Sequence, residues 1–257
     1  MTLTMHRADL AGLEPISLDD LVTHAELLVR VDRKYLLDDR EVTSFIAGLP
    51  SGTRVLEIDG QRQVEYRSLY HDTTDLDAYK GTAQRRRRRF KVRTREYGTG
   101  GCYLEVKTRR GSFTVKERIA CDTVAGELDP DGLAYVTERL AEAGIPLTAG
   151  MRPTLWTAYR RSTLLLPDEA RVTLDTGLVW SSLGADSRQC DGLTIVETKS
   201  GRQASAADRV LWAAGHRPVS LSKYGTGLAA LHPDLPSNRW HRLLTRQLGI
   251  DTPAVRN

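Results

Sequence analysis

Residues 85–119 read RRRRRFKVRTREYGTGGCYLEVKTRRGSFTVKERI. A Gly-rich turn at Gly98–Gly101 and a tight turn at Arg110-Gly111 divide the stretch, which predicts three consecutive strands. Residues two apart on a strand share a face. Lys91, Arg93 and Arg95 therefore line one face, Glu105, Lys107 and Arg109 another, and Lys116 and Arg118 repeat the pattern. Val92, Val106 and Val115 take the opposite parity. A sheet with one apolar face and one face of ordered cations, interspersed with acids, suits a polyanion. A merely solvated face carries Thr, Ser, Lys and Glu with less Arg.

Upstream, residues 1–14 read as a loose lead-in. Ser17 and Asp20 resemble a capping box that starts a short helix over Leu18, Leu21, Val22 and Ala25. A strand is expected over Leu28–Leu37, with Arg30, Asp32 and Lys34 on one face and Val29, Val31 and Tyr35 on the other. Arg33 is the exception on that apolar side. Asp38 or Asp39 caps a helix that Pro50 closes. Strands follow over Arg54–Ile58 and Gln63–Tyr70, and residues 71–81 read as a polar, turn-rich segment with a short helix at Asp75–Tyr79. Downstream, residues 129–143 have helical spacing and stop at Gly144. Strand signals return over Thr154–Leu165, Arg171–Thr176 and Leu193–Lys199. A helix is expected over Ala204–Gly215 and a shorter one after Ser222.

At 257 residues and 40% hydrophobic, the chain can bury a real core. The formal charge of +4 is modest, but basic residues concentrate between Arg85 and Arg118, which points to a phosphate-rich or anionic partner. Three widely spaced cysteines carry no zinc or dithiol pattern, so reduced, structural thiols are the default. No run approaches the roughly 18 apolar residues that span a bilayer. The expectation is a soluble, cytoplasmic protein, with docking to a membrane-protein partner left open. Walker A, His-Glu-x-x-His and Gly-x-Ser-x-Gly motifs do not occur. The five-arginine run has only Phe90 as a nearby ring, which argues against nucleic acid.

One closed sheet built from both halves of the chain explains the charged parities more economically than two domains. The expected fold is α+β: a closed antiparallel β-barrel with helices packed outside. Residues 1–25 form a lead-in with a short helix, residues 26–231 the barrel domain, and residues 232–257 a tail. The barrel interior would receive Arg30, Lys34, Arg93, Arg95, Lys107, Lys116, Arg161, Arg171 and Lys199, together with Asp32, Glu105, Asp175 and Glu197. Arginine forks hold pairs of phosphate oxygens and lysine acts as a mobile charge. The acids suit either Mg²⁺ or Mn²⁺ or salt bridges to their neighbours, and the pattern leaves both open. Glu197, beside apolar Val196, is the better metal candidate, ahead of Glu105 and Asp32.

The motifs resemble the polyphosphate-polymerase (vacuolar transporter chaperone, VTC) domain of the CYTH-like triphosphate tunnel superfamily. Arg30-Val-Asp-Arg-Lys-Tyr35, Tyr66-Arg-Ser-Leu-Tyr-His-Asp-Thr73, Lys91-Val-Arg-Thr-Arg-Glu-Tyr-Gly98 and Leu104-Glu-Val-Lys107 carry the first half of the likeness. Tyr159-Arg-Arg161, Arg171-Val-Thr-Leu-Asp175, Val196-Glu-Thr-Lys199 and Ser222-Lys-Tyr224 carry the second. Tunnel relatives begin with Glu-x-Glu-x-Lys. This chain has Arg30-x-Asp32-x-Lys34, a departure that disfavours a two-metal hydrolase.

The resemblance implies an antiparallel tunnel holding ATP, phosphate or polyphosphate with Mn²⁺ or Mg²⁺. The implied activity is transfer of the ATP γ-phosphate to a phosphate or polyphosphate end with release of ADP. The alternatives are a tripolyphosphatase or a binding protein without turnover. Arg93, Arg95, Arg161, Arg171 and Glu197 are the implied catalytic set. Arg30, Lys34, Lys91, Lys107, Lys116, Tyr159, Lys199, Ser222 and Lys223 are the substrate contacts.

Overall fold

A computed structural model describes residues 10–24, 31–111, 113–124, 126–184 and 186–250. The strands are β1 (Glu14–Ile16), β2 (Val31–Asp38), β3 (Arg54–Leu56), β4 (Val64–Thr73), β5 (Arg88–Tyr97), β6 (Cys102–Arg110), β7 (Phe113–Ala120), β8 (Met151–Leu165), β9 (Arg171–Ser181), β10 (Ser187–Gln189) and β11 (Leu193–Ser200). The helices are α1 (Leu18–His24), α2 (Asp39–Ala47), α3 (Asp77–Ala83), α4 (Pro130–Glu142), α5 (Ala206–Ala213), α6 (Lys223–Leu231) and α7 (His241–Arg246).

The expected closed barrel is corrected by the pairing. The ladder runs β2-β11-β9-β8-β4-β5-β6-β7. Among the described residues no pairing joins its first strand to its last, and β1 pairs with β3 in parallel. The fold is α+β, with a sheet that is open and not wholly antiparallel. Alternation sets which way side chains point within a strand, but carries no signal for a closing pair between strands far apart in sequence.

The chain divides into two compact units. The first comprises Met1–Glu65, Tyr159–Leu178 and Cys190–Val219. Its apolar core gathers Tyr35, Leu37, Val42, Phe45, Ile46, Val172, Leu174, Val196 and Leu211, so that α2 and α5 cover one face of β2, β11 and β9. Both helices start where the chemistry demands. Asp38 accepts from the Glu41 amide at 2.8 Å and Glu41 returns the bond to the Asp38 amide at 2.7 Å. Ser205 and Asp208 form the same box on α5. Ser17 caps α1 by accepting from the Asp20 amide at 3.1 Å. Among the described side chains of α1 only Leu21 is buried, with Ile16 and Leu165, while Leu18 and Val22 are exposed.

The second unit comprises Tyr66–Ala158, Val179–Gln189 and Ser220–Asn257. Here β4, β5, β6 and β7 form an antiparallel meander. Its α4 starts at the Asp129 cap, with Pro130 at the first helical position. A side chain on Gly132 would press on Leu104 of β6, so α4 covers the apolar face of the meander. β4 runs on to Thr73, past the expected end at Tyr70, because His71, Asp72 and Thr73 are buried. Strand β10 and helix α7 had no sequence signal; α7 buries Leu243 and Leu244.

Candidate functional site: two charged sheet faces

In the meander, directly opposed residues share a face. The register sets Tyr70 against Arg93, Arg93 against Glu105, and Glu105 against Arg118. Lys91, Lys107 and Lys116 form the next row, and Ser68, Arg95 and Tyr103 the row on the other side. Lys91, Arg93, Arg95, Glu105, Lys107, Lys116 and Arg118 therefore lie on one face, as the alternation predicts.

Glu105 is the hub of this face. Arg93 donates from Nε to Glu105 Oε2 at 2.7 Å and brings Nη2 to 2.6 Å of the same oxygen. Lys116 Nζ reaches Oε1 at 2.6 Å, and the Tyr97 hydroxyl donates to Oε1 at 3.2 Å. The Glu105 side chain is only 2% exposed. Burial pushes its carboxyl up, but Arg93, Arg95 and Lys116 outweigh burial and hold it well below the usual range. Burial likewise lowers Lys116, which the charges of Arg93 and Arg95 depress further. Glu105 pulls it back, and it rests at about 8.

The remaining groups are held as firmly. Arg93 Nη1 donates to the Tyr70 hydroxyl at 3.0 Å, and Arg95 Nε donates to Ser68 Oγ at 3.0 Å beneath the Tyr66 ring. Lys91 Nζ donates to Ser222 Oγ at 2.9 Å; Ser222 caps α6 by accepting from the Gly225 amide. Lys223 stands at the first position of α6 and depresses the Tyr70 phenol together with Arg93 and Arg95, against the effect of burial. The second unit thus brings together Lys91, Arg93, Arg95, Glu105, Lys116, Ser222 and Lys223, with Lys107 on the same sheet face.

The first unit builds a second charged face. Its register opposes Lys34 to Glu197, Asp32 to Lys199, and Lys199 to Arg171. Lys34 Nζ lies 3.1 Å from Glu197 Oε1, and Lys199 Nζ lies 3.8 Å from Oε2. Arg161 holds Asp175 with two parallel bonds, Nε to Oδ1 at 2.6 Å and Nη2 to Oδ2 at 2.8 Å. The Arg161 guanidinium also sits 5.4 Å over the Tyr159 ring. Arg171 donates to the Leu21 carbonyl at 3.4 Å, which ties α1 to this face. Burial lowers the Lys34 ammonium, but Glu197, Asp32 and Asp175 more than restore it, and it ends above its ordinary value. Arg30 lies outside the described residues.

Arg33, the exception to the strand's apolar parity, has a structural explanation. Its Nη1 lies 3.1 Å from Oδ2 of Asp208 on α5. Asp208 also accepts from the Tyr35 hydroxyl at 2.8 Å and from Thr198 Oγ1 at 2.6 Å. The ion pair belongs to the helix-covered side and leaves the charged face to the other residues. No signal in the sequence linked Arg33 to a helix 175 positions away.

Metal capture can be judged from the donors. Among the described residues no group of three or more His, Cys, Asp or Glu side chains comes together to hold an ion. Both oxygens of Glu105 are taken by Arg93, Lys116 and Tyr97. Glu197 has the Lys34 and Lys199 ammonium groups on its two oxygens, and Asp32 is its diagonal neighbour in the ladder. A hard divalent cation of the kind that takes one or two carboxylates and completes its shell with substrate oxygens would have to displace Lys34 and Lys199 from Glu197.

The model of the VTC domain family matches residues 29–232. Among solved structures, the chain is similar to the PH1819 protein of Pyrococcus horikoshii OT3, at 12% identity over 72% of this chain and 86% of that one, with a TM-score of 0.39. It is similar to a putative adenylyl cyclase from Hippeastrum described as having a dominant triphosphatase activity, at 15% identity over 82% of this chain and 100% of that one, TM-score 0.45. It is similar also to the inorganic triphosphatase NE1496, at 18% identity over 70% of this chain and 79% of that one, TM-score 0.30. No curated protein matches the chain. No described helix is long and apolar enough to cross a membrane. With the family model spanning most of its length, from residue 29 to residue 232, the chain belongs to the VTC domain family.

Proposed function

We propose that this chain is a phosphoryl-transfer enzyme acting on a triphosphate or polyphosphate. The observation that carries the reading is the cationic face of the meander, where Lys91, Arg93, Arg95, Lys107, Lys116 and Arg118 are set in register around a single carboxylate. Rows of strands repeat at about 4.8 Å, so the face offers charge at short, regular intervals to an anion that is itself a repeat of phosphoryl groups. Arg93 and Arg95 are pre-oriented by Glu105, Tyr70 and Ser68. They can meet developing charge without the cost of reorganising.

Catalysis on this reading comes from alignment and charge stabilisation rather than a protein nucleophile. In the second unit Arg93 and Arg95 hold phosphoryl oxygens, Lys91, Lys107, Lys116 and Lys223 add charge, and Ser222 orients Lys91; in the first unit Arg161 and Arg171 offer the same forks, Lys34 and Lys199 add charge, and Tyr159 backs the Arg161 guanidinium. A divalent cation, held by Glu197 with Asp32, would supply charge neutralisation on phosphoryl oxygens.

The acceptor divides two readings, water in a tripolyphosphatase and a phosphate end in a polymerase. Pure protein with Mn²⁺ is given either tripolyphosphate or ATP, and free phosphate, ADP and chain length are followed. Phosphate without lengthening chains identifies the hydrolase; ADP with lengthening chains identifies the polymerase. Tight polyphosphate binding with neither product overturns the enzymatic reading and leaves a binding protein.

A further inference from the structure

The sequence offers three scattered cysteines, 19 and 69 positions apart in order. The fold brings two of them together. Cys102 opens β6 and Cys121 follows the last residue of β7, and the Tyr103–Ala120 pairing extends to them through a bond from the Cys121 amide to the Cys102 carbonyl at 3.0 Å. Their Sγ atoms are 2.6 Å apart, and both residues are half-buried, so a small oxidant can reach them. Directly opposed residues of an antiparallel pair have Cα atoms about 4.5–5.5 Å apart, inside the range that a disulfide spans. No backbone movement is required to join them.

We propose that Cys102 and Cys121 are a site of reversible disulfide formation that pins strand β7 to β6. The need for such a tie is visible in β7 itself. It is the last strand of the ladder, and none of its eight residues is buried. Phe113, Val115 and Ile119 are exposed hydrophobics. Beyond its ladder to β6, β7 is held by Arg139 to Glu117 at 3.1 Å, Arg118 over the Tyr103 ring at 4.4 Å, and Lys116 on Glu105. Exposed strands with few buried contacts open first. Closing the hairpin at its far end from the Arg110-Gly111 turn removes that opening.

The chemistry balances with a low-molecular-weight disulfide such as oxidised glutathione. One thiolate attacks it, forming a mixed disulfide and releasing one glutathione thiol. The second cysteine then displaces the other glutathione, so the protein loses two protons and two electrons and the oxidant becomes two thiols. Burial, followed by the neighbouring Cys102, pushes the Cys121 thiol up to about 12. Whichever thiol attacks first, the other lies within reach to resolve the mixed disulfide.

The test incubates the reduced full-length protein across graded glutathione buffers, quenches with acid and maps the peptides. The expected result is a cross-link between Cys102 and Cys121, reversed by dithiol, while buried Cys190 stays reduced. Two free thiols, or two separate glutathione adducts, overturn the proposal. In Cys121→Ser the mixed disulfide on Cys102 persists. In Cys102→Ser the mixed disulfide on Cys121 persists in the same way, and an adduct that resolves in either variant overturns the pairing. Amides of residues 113–120 exchange about tenfold more slowly with solvent in the oxidised wild type; unchanged exchange overturns the pinning role. Mapping and exchange need no variant, so a misfolded serine variant leaves both decisive.

Discussion

Tyr224 donates its hydroxyl to Asp72 Oδ2 at 2.5 Å. Asp72 is fully buried and also accepts from the amides of Thr73, Ala78 and Tyr79 at 2.8–2.9 Å. One carboxylate therefore joins the end of β4, the first turn of α3 and the first turn of α6. Tyr224 in turn stacks on Tyr70, with ring centroids 4.9 Å apart, directly beside Arg93. Tyr224→Phe leaves the buried carboxylate one partner short and is expected to cost about 1–3 kcal/mol. Asp72→Ala strands three amides and is expected to cost more. Urea unfolding of each variant checks the order, which a milder Asp72→Ala would contradict.

Acid should release the Glu105 clamp in a defined direction. Burial raises the carboxyl, yet Arg93, Arg95 and Lys116 bring it below its ordinary value of 4.5 in the folded state. The folded protein then binds fewer protons at this position than the unfolded chain. Its contribution is complete above the ordinary value and declines as pH falls from there toward the folded value. The stability gap between wild type and Glu105→Gln is expected to shrink as pH falls below 4.5. Chemical denaturation across that range tests it; a gap that widens in acid would contradict the clamp.

Arg161→Lys should be unlike a conservative change. Lysine cannot reproduce the two parallel bonds to Asp175, whose side chain is 0% exposed. The expected loss is about 1–3 kcal/mol in unfolding free energy. On the proposed function, affinity for tripolyphosphate falls as well, by calorimetric titration. Wild-type stability in the variant would show that the fork is dispensable.

Gly227 lies against Trp180, and Gly225 against Trp240, so closely that a methyl group at either glycine would overlap the indole. Both tryptophans are about 1% exposed and have no room to withdraw. Gly227→Ala is expected to destabilise by about 1–3 kcal/mol through overpacking, read as a lower thermal midpoint. Gly12→Ala, where nothing lies within 4 Å, is the matched control.

The periodicity of two belongs to each strand by itself, and whatever depends on it alone was legible in the sequence. The shared face of Lys91, Arg93, Arg95, Glu105, Lys107 and Lys116 follows from alternation plus the Gly-rich turn at Gly98–Gly101 and the tight turn at Arg110-Gly111. The cap at Ser17, and one at Asp38 or Asp39 that the structure places on Asp38, follow from side-chain oxygens that compete for nearby amides. Tertiary structure decided which strands meet and where the ladder ends, because pairing between distant segments is selected by packing and loop closure rather than local pattern. It decided that Arg33 serves α5, that Asp72 anchors two helices, and that Cys102 meets Cys121. Each of these pairs two groups whose separation along the chain carries no period, so only the assembled backbone brings them within reach.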